Sequence, residues 1–447
     1  VTTAFLTDHY ELTMVDAALK AGTHDRESTF EVFARHLPAG RRYGVVAGTG
    51  RLLELIDRFR FTDAELNWLT EHRVVSPATI DWLSGYRFTG TIHGYREGEL
   101  YFPGSPIFVV DAPFAEGVIL ETLILSVFNY DSAVAGAAAR MVSAASGRPL
   151  AEMGSRRANE NAAICAARAA YIAGFSATSN LEAGRSWGVP TMGTAAHSFT
   201  LLHDSERQAF QAQVDAFGPQ TTLLVDTYDI PTAIETAVEV AGTALGAVRI
   251  DSGDLPSVVR TVRDQLDSLG ATTTTITVTS DLNEYAIAAL SASPVDSYGV
   301  GTAVVTGSGS PAAGMVYKLV ARKNDAGEWV AVAKKSADKI SVGGRKQPIR
   351  RLSGQGIAVA EVIDVVDHRV PDATGVTDTR PRDPVASDVA GRALLVPLIV
   401  DGAVASAYTG PDGVSAARAH HKRAIAELPP VAFRLGRGDP VLPTIYE

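Results

Sequence analysis

Apolar positions follow two different rhythms along this 447-residue chain. The later rhythm is the simpler one. Short, nearly continuous apolar runs occur at 191–198, 221–228, 246–252, 274–281, 297–305 and 315–321, and the intervals between the first several have the pattern of amphipathic helices. Runs of this kind indicate parallel strands buried on both faces. Closed on itself, such a sheet is a (β/α) barrel, whose chemistry lies at the C-terminal strand ends. The earlier rhythm is mixed. Residues 7–21 begin with a capping-box pattern, Thr7 or Asp8 followed by Glu11, ahead of Leu12, Val15 and Leu19 at helical spacing. STFEVF at 28–33 alternates like a strand, and 49–84 reads as helical with Phe59, Phe61, Trp68 and Trp82 supplying core. An alanine-rich stretch from Ile119 to Ala145 has few charges and reads as a helix buried between layers. The expected fold is therefore α/β. An irregular (β/α) barrel over 119–321 stands beside an α+β domain built from 1–118 and 322–447.

Polar residues gather where the later runs end. These are His197-Ser198, Asp226, the Asp251–Asp254 segment, Ser280-Asp281 and Gly299–Thr302. A helix N-cap explains one such ending, but not so many in succession. Gly188, Gly193, Thr194, Ala195 and Ala196 lead up to His197, and small residues allow a ligand close to the backbone. The tandem arginines Arg156 and Arg157 precede a helix, where they oppose its macrodipole unless an anion is present. Gly301 and Thr302 offer backbone N–H groups at a strand end, suited to phosphate. Asp251 and Asp281 can hold ribose hydroxyls or a metal, and Arg249 and Arg156 an anion.

Charge and composition remove several classes. A net charge of −10 gives no electrostatic case for nucleic-acid binding. Cys165 is the single cysteine, so intramolecular disulfides and cysteine-based zinc sites are excluded, and a reducing compartment such as the cytoplasm is expected. No signal peptide or membrane-length apolar run is recognised. HExxH, the P-loop and a strand-following GxGxxG are all missing. No lysine occurs between Lys20 and Lys318, so the barrel strands before Lys318 cannot supply a Schiff base.

The remaining motifs, taken together, carry a resemblance. TDHYELTM at 7–14, GSRRAN at 154–159, ATSN at 177–180, GTAAHS at 193–198, VDTYD at 225–229, RIDSGDL at 249–255 and YGVGT at 298–302 occur in the order found in nicotinate phosphoribosyltransferases. The chain resembles that family over most of its length. The resemblance implies conversion of nicotinate and phosphoribosyl pyrophosphate to nicotinate mononucleotide and pyrophosphate. It also implies coupled ATP hydrolysis through a phosphohistidine at His197, with Mg²⁺ accompanying the phosphates, in a homodimer with shared sites. Asp226 is expected to hold the His197 ring by a side-chain hydrogen bond between adjacent strand ends. Tyr10 is expected to stack on the pyridine ring from the second copy, with Met153 at its other face. Arg156 and Arg249 divide the carboxylate and a phosphate between them, and Asp251 takes the ribose hydroxyls. Gly301 and Thr302 take the 5′-phosphate, with Ser280, Asp281 and Lys318 also in the substrate site. Nicotinamide-using relatives carry Asp where Ser179 stands, and an Asp there accepts from an amide and repels a carboxylate. Two alternatives stay open at this point: a nicotinamide phosphoribosyltransferase and a non-catalytic sugar-phosphate-binding barrel.

Overall fold

The computed structural model describes residues 2–38, 40–334, 342–366 and 391–447. The chain forms two compact units, one of residues 1–133 with 312–447 and one of 134–311. The sequence reading set these boundaries at 118/119 and 321/322. The difference at the second boundary has a clear cause. Met315–Lys323, expected as a barrel strand, pairs antiparallel with Glu27–Ala34. Nine residues of mixed polarity suit a ladder in which one strand face is only partly buried.

In the first unit, a seven-stranded sheet interleaves both ends of the chain. Glu27–Ala34 lies between Met315–Lys323 and Phe108–Pro113, and Thr91–Tyr95 lies between Phe108–Pro113 and Leu395–Val400. All of these pairings are antiparallel, so neither chain end can complete the sheet alone. The capping box forms as expected, with the Asp8 N–H donating to Glu11 Oε2 at 2.7 Å. Glu11 is fully buried, and its other oxygen accepts the Thr122 N–H at 2.6 Å. One side chain thus caps one helix and fixes the start of another. Phe59 and Phe61 are core residues, whereas Trp68 is 47% exposed and stacks on His72. Buried ions here are paired: Lys346 with Glu31, and Arg350 with Glu361, which also accepts from Tyr95 Oη. Burial on this scale is tolerated only when partners are present.

The Glu121–Ala145 helix is apolar nearly all round. Within Phe114–Ala145 there is a stretch long and apolar enough to cross a membrane, contrary to the sequence reading. Two thirds of it is buried inside the protein, as a core helix is.

The second unit is built on a parallel sheet of six strands: β1 (Leu150–Glu152), β2 (Ala177–Thr178), β3 (Thr222–Leu224), β4 (Ala247–Ile250), β5 (Thr275–Val278) and β6 (Ser297–Val300). Their order across the sheet is β2-β1-β6-β5-β4-β3. Leu223, Val248, Ile276, Val278 and Val300 are completely buried. Each contributes about 1.5–3 kcal/mol relative to exposure. The 221–228, 246–252, 274–281 and 297–305 runs all contain a strand, each shorter than the run. The 191–198 run does not. It makes a single bridge, Thr191 to Thr178, before continuing without regular structure to a helix at His197–Leu202. Gly193, Ala195 and Ala196 provide little β-branched surface to pack, which accounts for the missing ladder. The sheet is therefore a curled, incomplete barrel. Strands β1 and β2 escaped the sequence reading because runs of two or three residues show no alternation.

Candidate functional site

A parallel sheet brings all its C-terminal strand ends to one edge. Met153 follows β1, Ser179 follows β2, Asp226 lies just beyond β3, Asp251 follows β4, Ser280 lies just beyond β5, and Gly301 follows β6. The second unit thus collects these sequence-derived candidates along one rim. Ser179, Arg156, Ser280, Asp281 and Thr302 are exposed there, while Met153, Arg249, Asp251 and Gly301 are half-buried.

The rim is cross-linked by hydrogen bonds. Asp226 Oδ2 accepts from the Asp251 N–H at 3.0 Å and from Ser252 Oγ at 2.6 Å. Asp251 Oδ1 accepts from Thr279 Oγ1 at 2.6 Å. Beside Thr279 lies Gly299, whose missing side chain matters: a Cβ would come 2.6 Å from Thr279 Cγ2 and 2.7 Å from Met153 Sδ. Met153 therefore needs a glycine opposite it to lie against the sheet. At the end of β5, Ser280 has φ +101°, a left-handed value that L-residues avoid. Such strain is concentrated at binding sites.

His197 starts its helix and is half-buried. Its Nδ1 lies 3.1 Å from Thr227 Oγ1, and its Nε2 lies 3.8 Å from Asp226 Oδ1. The expected direct hydrogen bond to Asp226 is not made, because both donors on the other carboxylate oxygen draw the group toward β4. The facing atom is nevertheless available. Asp226 Oδ1 is buried and has no hydrogen-bond partner. Glu206, at the start of the Glu206–Phe217 helix, also has a buried oxygen without a partner. Burial, then Asp226 and Asp229, push its carboxyl up to about 7. Sequence reading passed over Glu206 because an acid in a first helical turn is ordinary.

Arg249 extends from β4 and is held by Thr194 Oγ1 and, at 3.2 Å, by the Ala195 carbonyl. Its Nε is buried without a partner. Burial lowers its pKa, Asp251 and Asp226 oppose this, and Arg156 adds a further lowering. A buried guanidinium N–H without a protein partner is suited to an anion.

Another residue missed in the sequence is Glu152, the last of β1, which is completely buried. One oxygen accepts from the Gly154 N–H and the other from Thr178 Oγ1 at 2.6 Å. Its only sequence signal was an acid ending an apolar trio just before the GSRR segment.

Tyr10 and Lys318 belong to the first unit. Tyr10 is 46% exposed, and burial of its hydroxyl end together with Glu121 and Glu11 pushes its pKa up to about 12. Lys318 donates to the Tyr317 carbonyl at 2.6 Å and lies 3.7 Å from Glu121. Among the described residues no group of three or more His, Cys, Asp and Glu side chains could hold a metal by itself. A Mg²⁺ ion that keeps its waters and arrives with phosphates needs only one or two carboxylates. The orphaned Asp226 Oδ1 fits that requirement.

Comparison with known proteins identifies the family. Residues 5–129 match the nicotinate phosphoribosyltransferase (NAPRTase) N-terminal domain. The chain is 52% identical to nicotinate phosphoribosyltransferase pncB1 of Mycobacterium tuberculosis, over 98% of this chain and 94% of that protein. It is 38% identical to the nicotinate phosphoribosyltransferase of Bacillus subtilis, over 78% of this chain and 73% of the other. Human nicotinic acid phosphoribosyltransferase superposes with a TM-score of 0.80 at 25% identity, covering 99% of this chain and 97% of that one. With identity of this degree over nearly its full length, the chain belongs to the nicotinate phosphoribosyltransferase family.

Proposed function

We propose that the rim of the second unit transfers the phosphoribosyl group to nicotinate. The pyridine nitrogen attacks C1′ of phosphoribosyl pyrophosphate, the C1′–O bond to pyrophosphate breaks, and nicotinate mononucleotide and pyrophosphate leave. The observation that carries this reading is that Arg249, with an Nε buried without a partner, and Arg156 share a rim with an uncharged Ser179. Guanidinium groups with no acid at position 179 favour a carboxylate over an amide. Met153, settled against Gly299, offers an apolar contact to a flat ring. Asp251, fixed by Thr279, is suited to the ribose hydroxyls, and Gly301 and Thr302 to the 5′-phosphate. Ser280 and Asp281 complete this side of the rim.

ATP is read as a co-substrate. Nε2 of His197 faces a carboxylate and so carries the ring proton, which leaves the Nδ1 lone pair, beside Thr227 Oγ1, as the nucleophile. Nδ1 takes the γ-phosphoryl group, ADP departs, and later attack by water releases phosphate and restores the ring. Asp226 balances the positive charge that develops on the imidazole. Bound Mg²⁺ would offset phosphate charge next to Asp226 and Asp251. The reading also includes a homodimer, in which Tyr10 serves the site of a second copy, Lys318 as a further substrate contact, and a cytoplasmic location. Purified protein supplied with nicotinate, phosphoribosyl pyrophosphate, Mg²⁺ and ATP is expected to form nicotinate mononucleotide, pyrophosphate and ADP. Omission of nicotinate should abolish pyrophosphate release. Pyrophosphate release at an unchanged rate without nicotinate would overturn the reading.

A further inference from the structure

We infer that Glu152 is a positioning residue for nicotinate recognition, acting as a clamp that sets the Ser179 turn against the Met153–Arg156 turn. The inference rests on the proposed function for the meaning of these two turns. The clamp itself is visible in the hydrogen bonds. Glu152 Oε1 accepts the Gly154 N–H, and Oε2 accepts the Thr178 hydroxyl at 2.6 Å. The Thr178 oxygen in turn accepts the Asn180 N–H at 3.0 Å. Backbone bonds run the same way: Ser179 N–H donates to the Glu152 carbonyl at 2.8 Å, and Met153 N–H to the Val300 carbonyl at 2.8 Å. Asn180 Nδ2 closes the loop by donating to Ser155 Oγ at 3.0 Å. Ser179 is therefore bracketed by two residues that both report to Glu152, while Arg156 follows directly on the turn that Glu152 ties down.

The packing leaves little freedom for another arrangement. A Cβ on Gly154 would come 2.2 Å from Val305 Cγ1, 2.9 Å from Glu152 Oε1 and 3.0 Å from the Gly301 carbonyl. Gly154 is thus wedged between the carboxyl and the phosphate-side turn. Glu152 and Thr178 are both completely buried. Burial raises the Glu152 pKa, with the Thr178 and Gly154 donors opposing the rise. A buried acid held by one backbone N–H and one hydroxyl has a high desolvation cost, and its retention here is accounted for by the two turns it joins.

Two near-isosteric changes test the clamp. Glu152→Gln places an amide NH₂ against one of two donors, so one contact must reverse or break. Thr178→Val keeps the β-branched shape and removes the hydroxyl, with its bond to Glu152 and its bond from the Asn180 N–H. Each variant is expected to raise the nicotinate KM by about tenfold, with kcat altered less than about threefold, because a shift of the turns misplaces the carboxylate contacts. The double variant should fall clearly short of the sum of the two single effects, because both changes break the Glu152–Thr178 bond. Hydrogen–deuterium exchange should quicken together over 153–157 and 177–181 in both variants. Additive KM effects, a loss confined to kcat, or faster exchange with an unchanged nicotinate KM would each overturn the positioning role while leaving the functional reading standing. Absence of nicotinate turnover in the wild type would overturn the functional reading, and unchanged exchange in both variants would separately overturn the clamp.

Discussion

Replacing Asp226 with asparagine isolates what the carboxylate does for His197. The side chain is 1% exposed, and one oxygen is committed to Asp251 N–H and Ser252 Oγ. Those two donors require an acceptor, so the asparagine oxygen stays with them and its NH₂ points at His197. That reverses the polarity seen by Nε2, moves the ring proton to Nδ1 and blocks the nitrogen assigned as nucleophile. The charge effect follows from distance. Unit charges 3.8 Å apart interact by about 4 kcal/mol at an effective dielectric of about 20. The His197 side chain is 41% exposed, so solvent screening lowers this to about 2–3 kcal/mol. The rate of phosphoenzyme formation should then fall by about 30- to 150-fold. Rapid-quench labelling from γ-labelled ATP measures it, with acid-labile, alkali-stable label as the signature and His197→Ala as the blank. Labelling of Asp226→Asn at the wild-type rate, or label persisting in His197→Ala, would refute the reasoning.

Three further outcomes are expected. Arg249→Ala should raise the nicotinate KM by more than about tenfold through loss of a charge-assisted contact, whereas Asp251→Ala should act on the donor KM; steady-state kinetics with each substrate varied separates them. Ser179→Asp should move the nicotinate-to-nicotinamide ratio of kcat/KM toward the amide by about 10- to 100-fold, read from product ratios in a mixed-substrate assay. Glu206 is raised from 4.5 to about 7, so the folded state binds its proton more tightly than the unfolded chain; its contribution is complete below pH 4.5 and is lost as pH rises through about 7. Glu206→Gln should therefore gain thermal stability relative to wild type across that window, and a melting difference that does not vary between pH 4.5 and 8 would contradict this assignment.

The strand-end chemistry was legible because parallel strands repeat a simple pattern: an apolar run, then a polar residue or a glycine. Asp226, Asp251, Ser280 and Gly301 were found in that way. His197 was found by its small neighbours, yet its segment proved to be irregular backbone leading into a helix, since small residues that admit a ligand also fail to sustain a ladder. Met315–Lys323 was apolar enough to pass for a sixth member of the pattern, and only pairing partners distinguish a parallel from an antiparallel strand. Glu152 and Glu206 were invisible for a different reason. The significance of Glu152 lies in its hydrogen bonds to Gly154 and Thr178 and that of Glu206 in its burial near the Asp226 charge, and no local spacing reports on either.

The central claim is that this rim selects a pyridine carboxylate, and the relative kcat/KM of the wild-type protein for nicotinate and nicotinamide measures it most directly. With phosphoribosyl pyrophosphate, Mg²⁺ and ATP held saturating, the account predicts a preference for nicotinate of at least about 100-fold, or about 2.7 kcal/mol. Equal use of the two substrates, or a preference for nicotinamide, would contradict it.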